Sequence, residues 1–591
     1  MANPTTAQQA SGTFLLHDRE VQGVFTPEDF TEEQRMLRQS IRDFIQQEIE
    51  PHRKAFDSKK GIEMGPGLLE KMGELGFLGV GVPEAYGGFE ANFTTQLAFG
   101  EVAYASWSFG LTIGVQTSLG VAPLLLYGNK AQKDKYLPGI VSAERKSCYC
   151  LTEPTAGSDA NSGKTQAVLN EAGTHYILNG QKMWITNSGF ADLFFVFAKI
   201  ADDKNLSCLI VEKDFGGIRL GAEEEKMGIR GSSTRQVFFE EVPVPVENLL
   251  GERNEGFKIA LNVLNTGRIK MATTVTGTAK KAMGYGAQYA AERKQFGQSL
   301  DQFDAIQSKL ADMCQRIYAM ESLAFRIGGQ IDEESARLIE QGEDPQEAER
   351  KAIASYAAEC AIAKVHNTEA DAFVTDEALQ IHGGMGYSAE TPIETMYRNH
   401  RINRIYEGTN EINRMLTIDM LLRKAMKGEL ALLPAAQAAL NRFRAGEQAV
   451  ADDSVAPERQ YLQAARELTL TLLALIGERL LPTLKQEQQL MLALADVFIE
   501  LFALESVILR SEKQQDDRPE LRTSLQRLQA CHSAGIIYTA LRGIIPQVAE
   551  GEETRQLLHA LAGLDHILPY NAINLRRSIA PEVREAGGYP F

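Results

Sequence analysis

The chain has 591 residues, of which 44% are hydrophobic and 24% charged, a composition typical of soluble globular proteins. Its length predicts several domains. The formal net charge of −17 disfavours a general nucleic-acid binder, because neutralising phosphates requires clustered lysine and arginine. A local site for a small anionic ligand is still compatible with that charge.

Metal, export and membrane signals are weak. Cys148 and Cys150 form a C-x-C pair without the second pair or the histidines that a zinc site needs, so we expect no metal and free thiols. The first 31 residues lack the basic and apolar segments of a secretory signal. Residues 102–129 carry no charge, but their glycine, proline and polar residues favour a buried helical segment over a membrane span. We therefore expect a cytoplasmic protein.

The first predicted elements are helices. Apolar residues recur at helical spacing from Thr31, where Thr31 and Gln34 predict a capping box, and Pro51 predicts the end of the helix. Further helical runs are predicted at residues 68–76 and 93–135.

From Cys148 the pattern changes to strands. Residues 175–185 predict a hairpin with a type I′ turn at Asn179-Gly180. More strands are predicted at residues 193–200, 206–212 and 236–240. The block predicts an antiparallel β-barrel or sandwich.

Helical periodicity returns near Asn254 and continues almost to the end. A helix is predicted at residues 411–427, and Gly428 and Pro434 then predict a linker. The sequence thus predicts a multi-domain α+β fold with five parts: an N-terminal tail (1–25), an N-terminal α-helical domain (26–147), a middle antiparallel β-barrel domain (148–253), a C-terminal α-helical bundle (254–427) and an additional C-terminal helical domain, the extension (428–591).

One helix of the extension carries charges within an apolar run. In residues 490–509, Asp496, Glu500 and Glu505 predict a stripe that faces solvent or a partner.

Two glycine-rich segments imitate nucleotide-binding loops. Residues 157–165, G-S-D-A-N-S-G-K-T, place five residues between the glycines where a P-loop needs four, and a strand-like sequence follows. Gly73, Gly76, Gly79 and Gly81 follow a helix and do not match G-x-G-x-x-G. The order of helices, β block and helices also differs from an alternating βα fold. A nucleotide hydrolase and a nicotinamide-binding fold are both disfavoured.

Two segments in the β block suit a flat ligand. Residues 149–159, Y-C-L-T-E-P-T-A-G-S-D, put hydroxyl groups and a glycine in a loop after a strand. Trp184 and Thr186 place an aromatic ring beside a hydroxyl, a pair that could stack on a ring and donate to its edge. On physical grounds alone, an ordinary turn and a core tryptophan are simpler interpretations.

Two later segments combine glycine with polar residues. Residues 380–387, Q-I-H-G-G-M-G-Y, break two helical runs and allow close backbone approach. Residues 404–411, R-I-Y-E-G-T-N-E, place Glu407 just before a helix capped by Thr409 or Asn410. A helix-to-helix turn and a solvated glutamate are the plain alternatives.

Together these segments resemble the acyl-CoA dehydrogenase family. C-L-T-E-P-x-x-G-S-D at residues 150–159 and Q-x-x-G-G-x-G-Y at residues 380–387 are similar to its two signatures. W-I-T, R-K-Q-F-G and Y-E-G-T-N-E, at residues 184–186, 293–297 and 406–411, agree in order and spacing. The resemblance covers about residues 26–427, and it is nearest to the very-long-chain and acyl-CoA dehydrogenase 9-like branch with a C-terminal extension.

Two positions depart from the family pattern. Thr395 stands where the second signature usually has lysine or arginine, and Asp304 stands where many members have a flavin-contacting glutamine.

The resemblance implies FAD-dependent α,β-dehydrogenation of medium- or long-chain acyl-CoA to trans-2-enoyl-CoA in fatty-acid β-oxidation. Electrons would pass to an electron-transferring flavoprotein. Glu407 would be the catalytic base that removes the α-proton, with its own N–H and a ribityl hydroxyl donating to the thioester oxygen. Burial should raise the pKa of Glu407, but we expect this to outweigh the helix N-terminus only when substrate is bound.

The resemblance also implies the binding residues. The FAD contacts are Tyr149, Leu151, Thr152, Gly157, Ser158, Trp184, Ile185, Thr186, Arg293, Gln295, Phe303, Gln380, Gly383, Gly384, Thr409 and Glu411. The substrate contacts are Ser158, Asn265, Arg268, Tyr406 and Gly408. Gln380, Gly383 and Gly384 would hold the FAD of a partner subunit, so we expect at least a homodimer.

Two other functions stay open. An acyl-CoA oxidase or flavin monooxygenase shares the architecture but reacts with oxygen, and a non-catalytic assembly protein could keep the fold. The intact Glu407 and both signatures favour the dehydrogenase. The apolar faces of the extension predict that it packs across the C-terminal helical domain of a dimer, and no strongly basic amphipathic helix favours a membrane-surface role.

Overall fold

The structure is a computed structural model that describes residues 11–447, 454–514 and 518–591. After short 3-10 turns, its N-terminal part is helical: α1 (Glu32–Glu48), α2 (Lys59–Glu74), α3 (Phe93–Ala103), α4 (Phe109–Gly114), α5 (Ala122–Tyr127) and α6 (Lys130–Val141). The predicted capping box is confirmed, because Gln34 N donates to Thr31 Oγ1 at 3.2 Å and Thr31 N donates to Gln34 Oε1 at 3.0 Å. Each reciprocal bond satisfies a backbone N–H that the first turn of α1 leaves unpaired.

The uncharged stretch at residues 102–129 is several short helices rather than one. A π-helical turn, Val115–Leu119, lies between α4 and α5. The segment Phe109–Tyr127 is long and apolar enough to cross a membrane by length and composition, yet 72% of its most apolar window is buried inside the protein. Its apolar character is therefore used by the protein core.

The middle part is an eight-stranded sheet. Its strands are β1 (Ser147–Cys150), β2 (Gln166–Leu169), β3 (His175–Thr186), β4 (Leu193–Ile200), β5 (Ser207–Glu212), β6 (Ile218–Glu223), β7 (Thr234–Pro245) and β8 (Leu249–Leu250). They pair in the order β6-β7-β3-β2-β4-β5-β8, and β1 pairs with β4. The pairing runs from edge to edge without closing, so the predicted closed barrel is not shown. The sheet is also mixed, because β1 and β2 both run parallel to β4.

The predicted hairpin at Asn179-Gly180 is wrong, because β3 is one continuous strand. Asn179 makes two side-chain bonds to β7: Nδ2 donates to Glu241 Oε1 at 2.6 Å, and Glu241 N donates to Asn179 Oδ1 at 2.9 Å. A β-carbon at Gly180 would lie 2.5 Å from Thr165 Oγ1. The dipeptide therefore serves an irregularity in the pairing and a close approach to another strand, not a turn.

Helices form the C-terminal bundle. Its elements are α7 (Gly256–Glu292), the two-residue strands β9 (Lys294–Gln295) and β10 (Gln298–Ser299), α8 (Asp304–Glu340), α9 (Pro345–Ser355), α10 (Ala357–His382), α11 (Pro392–His400) and α12 (Asn410–Met426). Helices α7, α8 and α10 pack together, and α12 packs against α10. This arrangement brings side chains of α7 and α10 to the start of α12.

The extension is also helical: α13 (Leu432–Arg444), α14 (Pro457–Leu480), α15 (Gln488–Lys513), α16 (Pro519–Val548), α17 (Gly551–Leu564) and α18 (Ala572–Ala586). Pro434 lies in the first turn of α13, so it does not belong to the predicted linker. Helix α15 packs on α8 and α12, and one buried apolar cluster includes residues of all three helices. The extension therefore packs on the C-terminal bundle of its own chain, as the apolar faces predict.

The stripe predicted on α15, expected to face solvent or a partner, is instead buried within the chain at two of its three carboxylates. Glu505 is fully buried and accepts from Arg326 at 2.6 Å and from Arg466 at 2.7 Å. Glu500 is buried and accepts from Ser533 Oγ at 2.7 Å. Sequence alone does not reveal their partners, which lie on α8, α14 and α16.

Candidate active site

A strained turn before α12 holds Glu407. Its φ is 57° and that of Gly408 is 83°, so two successive residues have left-handed backbone. Such a conformation is uncommon for a residue with a side chain and often marks a functional position. Thr409 then caps the helix by accepting from Ile412 N at 3.3 Å. Glu411 lies in the first turn of α12.

Side chains from three helices hold this turn through its carbonyl groups. Lys364 Nζ, from α10, donates to Gly408 O at 2.8 Å. Asn413 Nδ2, from α12, donates to the same oxygen at 2.7 Å. Arg268 Nε, from α7, donates to Glu407 O at 3.2 Å. The position of Glu407 is thus determined by its neighbours rather than by the turn alone.

The carboxylate of Glu407 is poorly solvated by its surroundings. Its Oε2 is buried and has no hydrogen-bond partner in the described chain. Burial raises the pKa of Glu407 to about 7, although the charges of Arg268 and Lys364 lower it. We expected burial to prevail only with substrate bound, and that expectation is wrong because the protein alone encloses the group. A carboxylate with this pKa is a competent base near neutral pH.

Tyr149 of β1 lies on the same site. Its hydroxyl is buried without a hydrogen-bond partner among the described residues, and its ring centroid is 4.9 Å from that of Phe197. Burial raises the pKa of Tyr149 well above its usual value, and the nearby Cys208 and Glu407 raise it further. Unsatisfied buried polar atoms are rare, and several at one place indicate a functional site.

The predicted substrate contacts divide into two groups. Asn265 Oδ1 accepts from buried Arg268 at 2.7 Å, and Tyr406 donates to Asn403 Oδ1 at 2.7 Å. With Gly408, these residues surround the strained turn. Ser158 instead lies on an exposed loop that follows β1.

Trp184 is not a core tryptophan. It sits at an irregularity in the pairing of β3 with β7, its φ is 57°, and its surface is 60% exposed. The neighbouring Ile185 is buried, and Thr186 ends β3 opposite Thr234. The irregularity reverses the usual alternation and leaves the indole free to cover a flat ring.

A buried ion pair joins the first-signature loop to β3. Lys182 Nζ donates to Glu153 Oε1 at 2.7 Å and to Leu151 O at 3.0 Å, and both charged side chains are almost fully enclosed. The backbone of Met183 donates to Thr152 O at 2.9 Å. These bonds fix the loop beside Trp184. The sequence analysis missed this pair, although a lysine and a glutamate next to the motif residues were a signal.

The loop itself fits a planar heteroaromatic group such as the flavin of FAD. Gly157 is exposed, and a β-carbon there would meet nothing within 4 Å. Thr152 is bonded to the backbone of Met183, and Thr186 follows Trp184 by two residues, so both hydroxyl-bearing residues lie near the exposed indole. An open backbone, a free indole face and two hydroxyls are the features that a flat, polar-edged ring requires.

The remaining predicted FAD contacts form a separate group. The rings of Tyr289 and His382 stack at 4.4 Å, which joins the end of α7, near Arg293, to the end of α10, near Gly383. From Arg268 to Arg293, α7 rises about 38 Å, so this group lies far from Glu407. Its members are exposed or half-buried, and Phe296 beside them is 95% exposed: Arg293, Gln295, Phe303, Gln380, Gly383 and Gly384.

The two departures from the family pattern have local partners. Asp304 accepts from Arg577 of the extension at 2.8 and 2.9 Å, so this position contributes an ion pair between α8 and α18. Thr395 donates to Glu394 Oε2 at 3.2 Å.

Sequence analysis missed Lys364, Asn413 and Gly267 at the active site. A lone lysine in the apolar run of α10 was a signal for Lys364. Within the described ranges no group of histidine, cysteine, aspartate or glutamate could hold a metal ion, and Cys148 and Cys150 are free thiols.

Comparison with known proteins identifies a family. Family models for acyl-CoA dehydrogenases match four segments: the N-terminal domain at residues 31–144, the middle domain at 148–242, and two C-terminal-domain models at 254–422 and 465–562.

Individual relatives cover both the whole chain and its first part. A probable acyl-CoA dehydrogenase of Bacillus subtilis (strain 168) is 38% identical over 596 residues, which cover 100% of both chains. The mitochondrial very long-chain specific acyl-CoA dehydrogenase of Rattus norvegicus is 40% identical over 356 residues, 59% of this chain and 52% of the rat protein. The crystal structure of an acyl-CoA dehydrogenase complexed with FAD from Bacillus anthracis has a TM-score of 0.94 and 39% identity, and covers 98% of this chain and 99% of its own.

Proposed function

This chain belongs to the acyl-CoA dehydrogenase family, and we propose that it oxidises medium- and long-chain acyl-CoA thioesters to trans-2-enoyl-CoA. It is an FAD-dependent oxidoreductase. The observation that carries the proposal is the buried Glu407 carboxylate, whose Oε2 has no hydrogen-bond partner in the described chain.

Glu407 takes the α-proton of the acyl group. A base for this step must be ionised near neutral pH yet basic enough to accept a proton, and a pKa of about 7 meets both requirements. Arg268 and Lys364 keep the anion accessible by opposing the effect of burial. The backbone N–H of Glu407 is the proposed donor to the thioester oxygen, where negative charge develops as the proton leaves.

The flavin would be held by the loop after β1 and by the end of β3. Thr152 and Thr186 would donate to its ring, Trp184 would cover one face, and Gly157 would allow close approach of the backbone. When bound, FAD would supply the acceptor for the hydride that leaves the β-carbon. The protein excludes water from the reacting carbons through the enclosed surroundings of Glu407 and Tyr149.

Similar proteins and a cavity in the structure support a preference for long acyl chains. The likeness to very long-chain enzymes supports acyl chains of twelve carbons or more over butyryl chains. A chamber of about 380 Å³ between the segment before α3 and helices α5, α8 and α9 could receive the distal end of such a chain. An electron-transferring flavoprotein is the proposed electron acceptor, as the family resemblance implies.

The distant group around Arg293 and Gly383 supports a homodimer. The group lies about 38 Å along α7 from the active site and is largely exposed. It would contact the FAD of the partner subunit, as the family resemblance implies for Gln380, Gly383 and Gly384.

The test is Glu407→Gln, which removes the base with little change of shape. The variant should retain FAD absorbance and acyl-CoA binding while turnover falls by about three or more orders of magnitude. Glu429→Gln, which changes an exposed carboxylate between α12 and α13, is the control and should keep its turnover. Turnover of Glu407→Gln within tenfold of the parent would show that another residue is the base, and rapid oxygen consumption by the parent would indicate an oxidase.

A further inference from the structure

The extension reaches the active site through a chain of polar contacts that starts at Asp496. This residue of α15 is half-buried where α15 packs on α12. Its Oδ1 accepts from Arg414 Nε, on α12, at 2.7 Å. Arg414 thus makes a polar contact between the extension and the helix that begins beside Glu407.

Arg414 binds Glu369 of α10 through two parallel hydrogen bonds. Its two terminal nitrogens donate to the two carboxylate oxygens at 2.7 and 2.8 Å. Burial raises the pKa of Glu369, but the bonds from Arg414 outweigh it and hold that pKa below its usual value. A bidentate pair fixes the orientation of both side chains as well as their distance.

Glu369 in turn orients Asn410. Asn410 Nδ2 donates to Glu369 Oε1 at 2.9 Å, and Asn410 Oδ1 accepts from Lys364 Nζ at 2.7 Å. Since one end of the amide faces a carboxylate and the other faces an ammonium group, the amide can adopt only one orientation. Lys364 completes the path with its 2.8 Å bond to Gly408 O, next to Glu407.

We propose that Asp496 and Arg414 are positioning residues for Glu407, and that the extension contributes to catalysis by fixing Lys364 against the catalytic turn. The inference rests on the proposed role of Glu407 as the base. Asp496, Arg414, Glu369 and Lys364 alternate in charge and end beside the carboxylate of Glu407. Each contact is a direct hydrogen bond, so a displacement at one end is transmitted to the other.

The groups that face Glu407 determine what loosening the path would do. They are Arg268 from α7, Lys364 from α10, Tyr149 from β1 and Tyr406 from the turn itself. Burial lowers the pKa of Lys364 to about 7, while Glu407 raises it. If Lys364 moves away from the turn, Glu407 loses a positive neighbour, and its pKa rises.

The experiment compares Asp496→Asn and Arg414→Gln with a matched control, Asp312→Asn, in the full-length holoenzyme. Asp312 of α8 accepts from Arg576 of α18 at 2.8 Å, so it also joins the bundle to the extension, but no hydrogen bond connects it to the catalytic turn in the described chain. Three quantities are measured for each variant: the pH dependence of kcat/KM, the amide hydrogen exchange of peptides that cover residues 405–413, and the melting temperature.

We expect the acid limb of kcat/KM to move to higher pH in Asp496→Asn and further in Arg414→Gln, with kcat reduced roughly three- to tenfold. Amide exchange at residues 405–413 should become faster in the same order, while Asp312→Asn matches the parent in both quantities. The proposal is overturned if Asp496→Asn and Arg414→Gln both match Asp312→Asn in pH profile and exchange. It is also overturned if the three variants change alike, because a general loss of stability would then explain the result.

The two proposals fail in different ways. If Glu407→Gln keeps its turnover, the base is another residue. Asp496→Asn would then still report on the path through the exchange of residues 405–413, which does not depend on turnover. If Glu407 is the base but the path of contacts does not position it, the parent still shows the pH profile expected for Glu407, and only the shifts in the variants are missing.

Discussion

Gly267 of α7 lies so close to Glu407 that a β-carbon at position 267 would be 3.0 Å from Glu407 Oε2. That separation is tighter than ordinary van der Waals contact between a carbon and an oxygen. The backbone of α7 thus forms one wall of the space around the catalytic carboxylate. Arg268, the next residue, binds the carbonyl of the same glutamate.

Gly267→Ala should therefore displace the carboxylate without disturbing the fold. Because small misplacements of a catalytic group are costly, we expect kcat to fall about ten- to hundredfold. Gly284→Ala is a matched control in the same helix, where a β-carbon meets nothing within 4 Å. Steady-state kinetics and melting temperatures of both variants check the prediction, and equal kcat values in the two variants would contradict it.

The pH dependence of kcat/KM should follow the ionisation of Glu407. With its pKa raised to about 7 by burial, roughly a tenth of the free enzyme is ionised at pH 6. We therefore expect kcat/KM to rise with pH between about 6 and 8 and then to level off. A profile that is already flat at pH 5.5 would show that the group is not enclosed in this way.

The same shift predicts a stability cost of the base. Because the folded-state pKa of Glu407 lies above its usual value of 4.5, the stability of the protein relative to Glu407→Gln is lost as pH rises through 7. Glu407→Gln should be more stable than the parent at pH 8, by on the order of 1–3 kcal/mol. This advantage should be smaller at pH 5, where Glu407 is protonated in the folded protein. Unfolding curves at both pH values decide the matter, and a difference independent of pH would refute the linkage.

Lys270 should affect long acyl chains more than short ones. It lines a narrow cavity with Gln96 and Glu349, and this cavity adjoins the 380 Å³ chamber. Burial lowers the pKa of Lys270 and raises that of Glu349, while their opposite charges attract. An apolar chain that passes between them would separate the two buried groups and weaken their attraction.

We therefore expect Lys270→Met, combined with Glu349→Gln so that no unpaired charge is left, to raise kcat/KM for dodecanoyl-CoA roughly three- to tenfold. We expect a four-carbon chain not to reach Lys270, so the value for butyryl-CoA should stay near that of the parent. Equal changes for both substrates would remove this pair from the acyl path.

The assembly is predicted to be a dimer. The extension packs on the bundle of its own chain and covers surface there, so we expect light scattering to give about twice the chain mass of 65.2 kDa. A mass near four times that value would count against the model.

Local patterns predicted the fold well where neighbours in sequence determine it. The capping box of α1 needs only Thr31 and Gln34, and the apolar run Leu193–Ile200 forms a strand with the predicted bounds. The turn predicted at Asn179-Gly180 is wrong because the geometry there is determined by Glu241 of β7 and by Thr165, just before β2. The exposure of the stripe on α15 was mispredicted for the same reason. Arg326 and Arg466, which pair with Glu505, lie far from it in sequence.

The active site shows the same division. Motifs located Glu407 and Trp184, because their flanking residues are distinctive. They did not reveal Gly267 or Lys364, which approach Glu407 from two other helices through long-range packing. The raised pKa of Glu407 was also misjudged, because enclosure depends on how those helices meet.

The residues before α1 have a consequence for anyone who wishes to dissect this protein. Glu28 accepts from Arg510 at 2.7 Å and from Arg522 at 3.0 Å, and the ring of Phe14 packs against Phe502 at 5.0 Å. Phe14 and Glu28 are therefore both held against the extension. A gene cut to begin at the start of the N-terminal family domain, residue 31, would remove a carboxylate from two buried arginines. Boundaries chosen by family matching would thus divide a single folding unit.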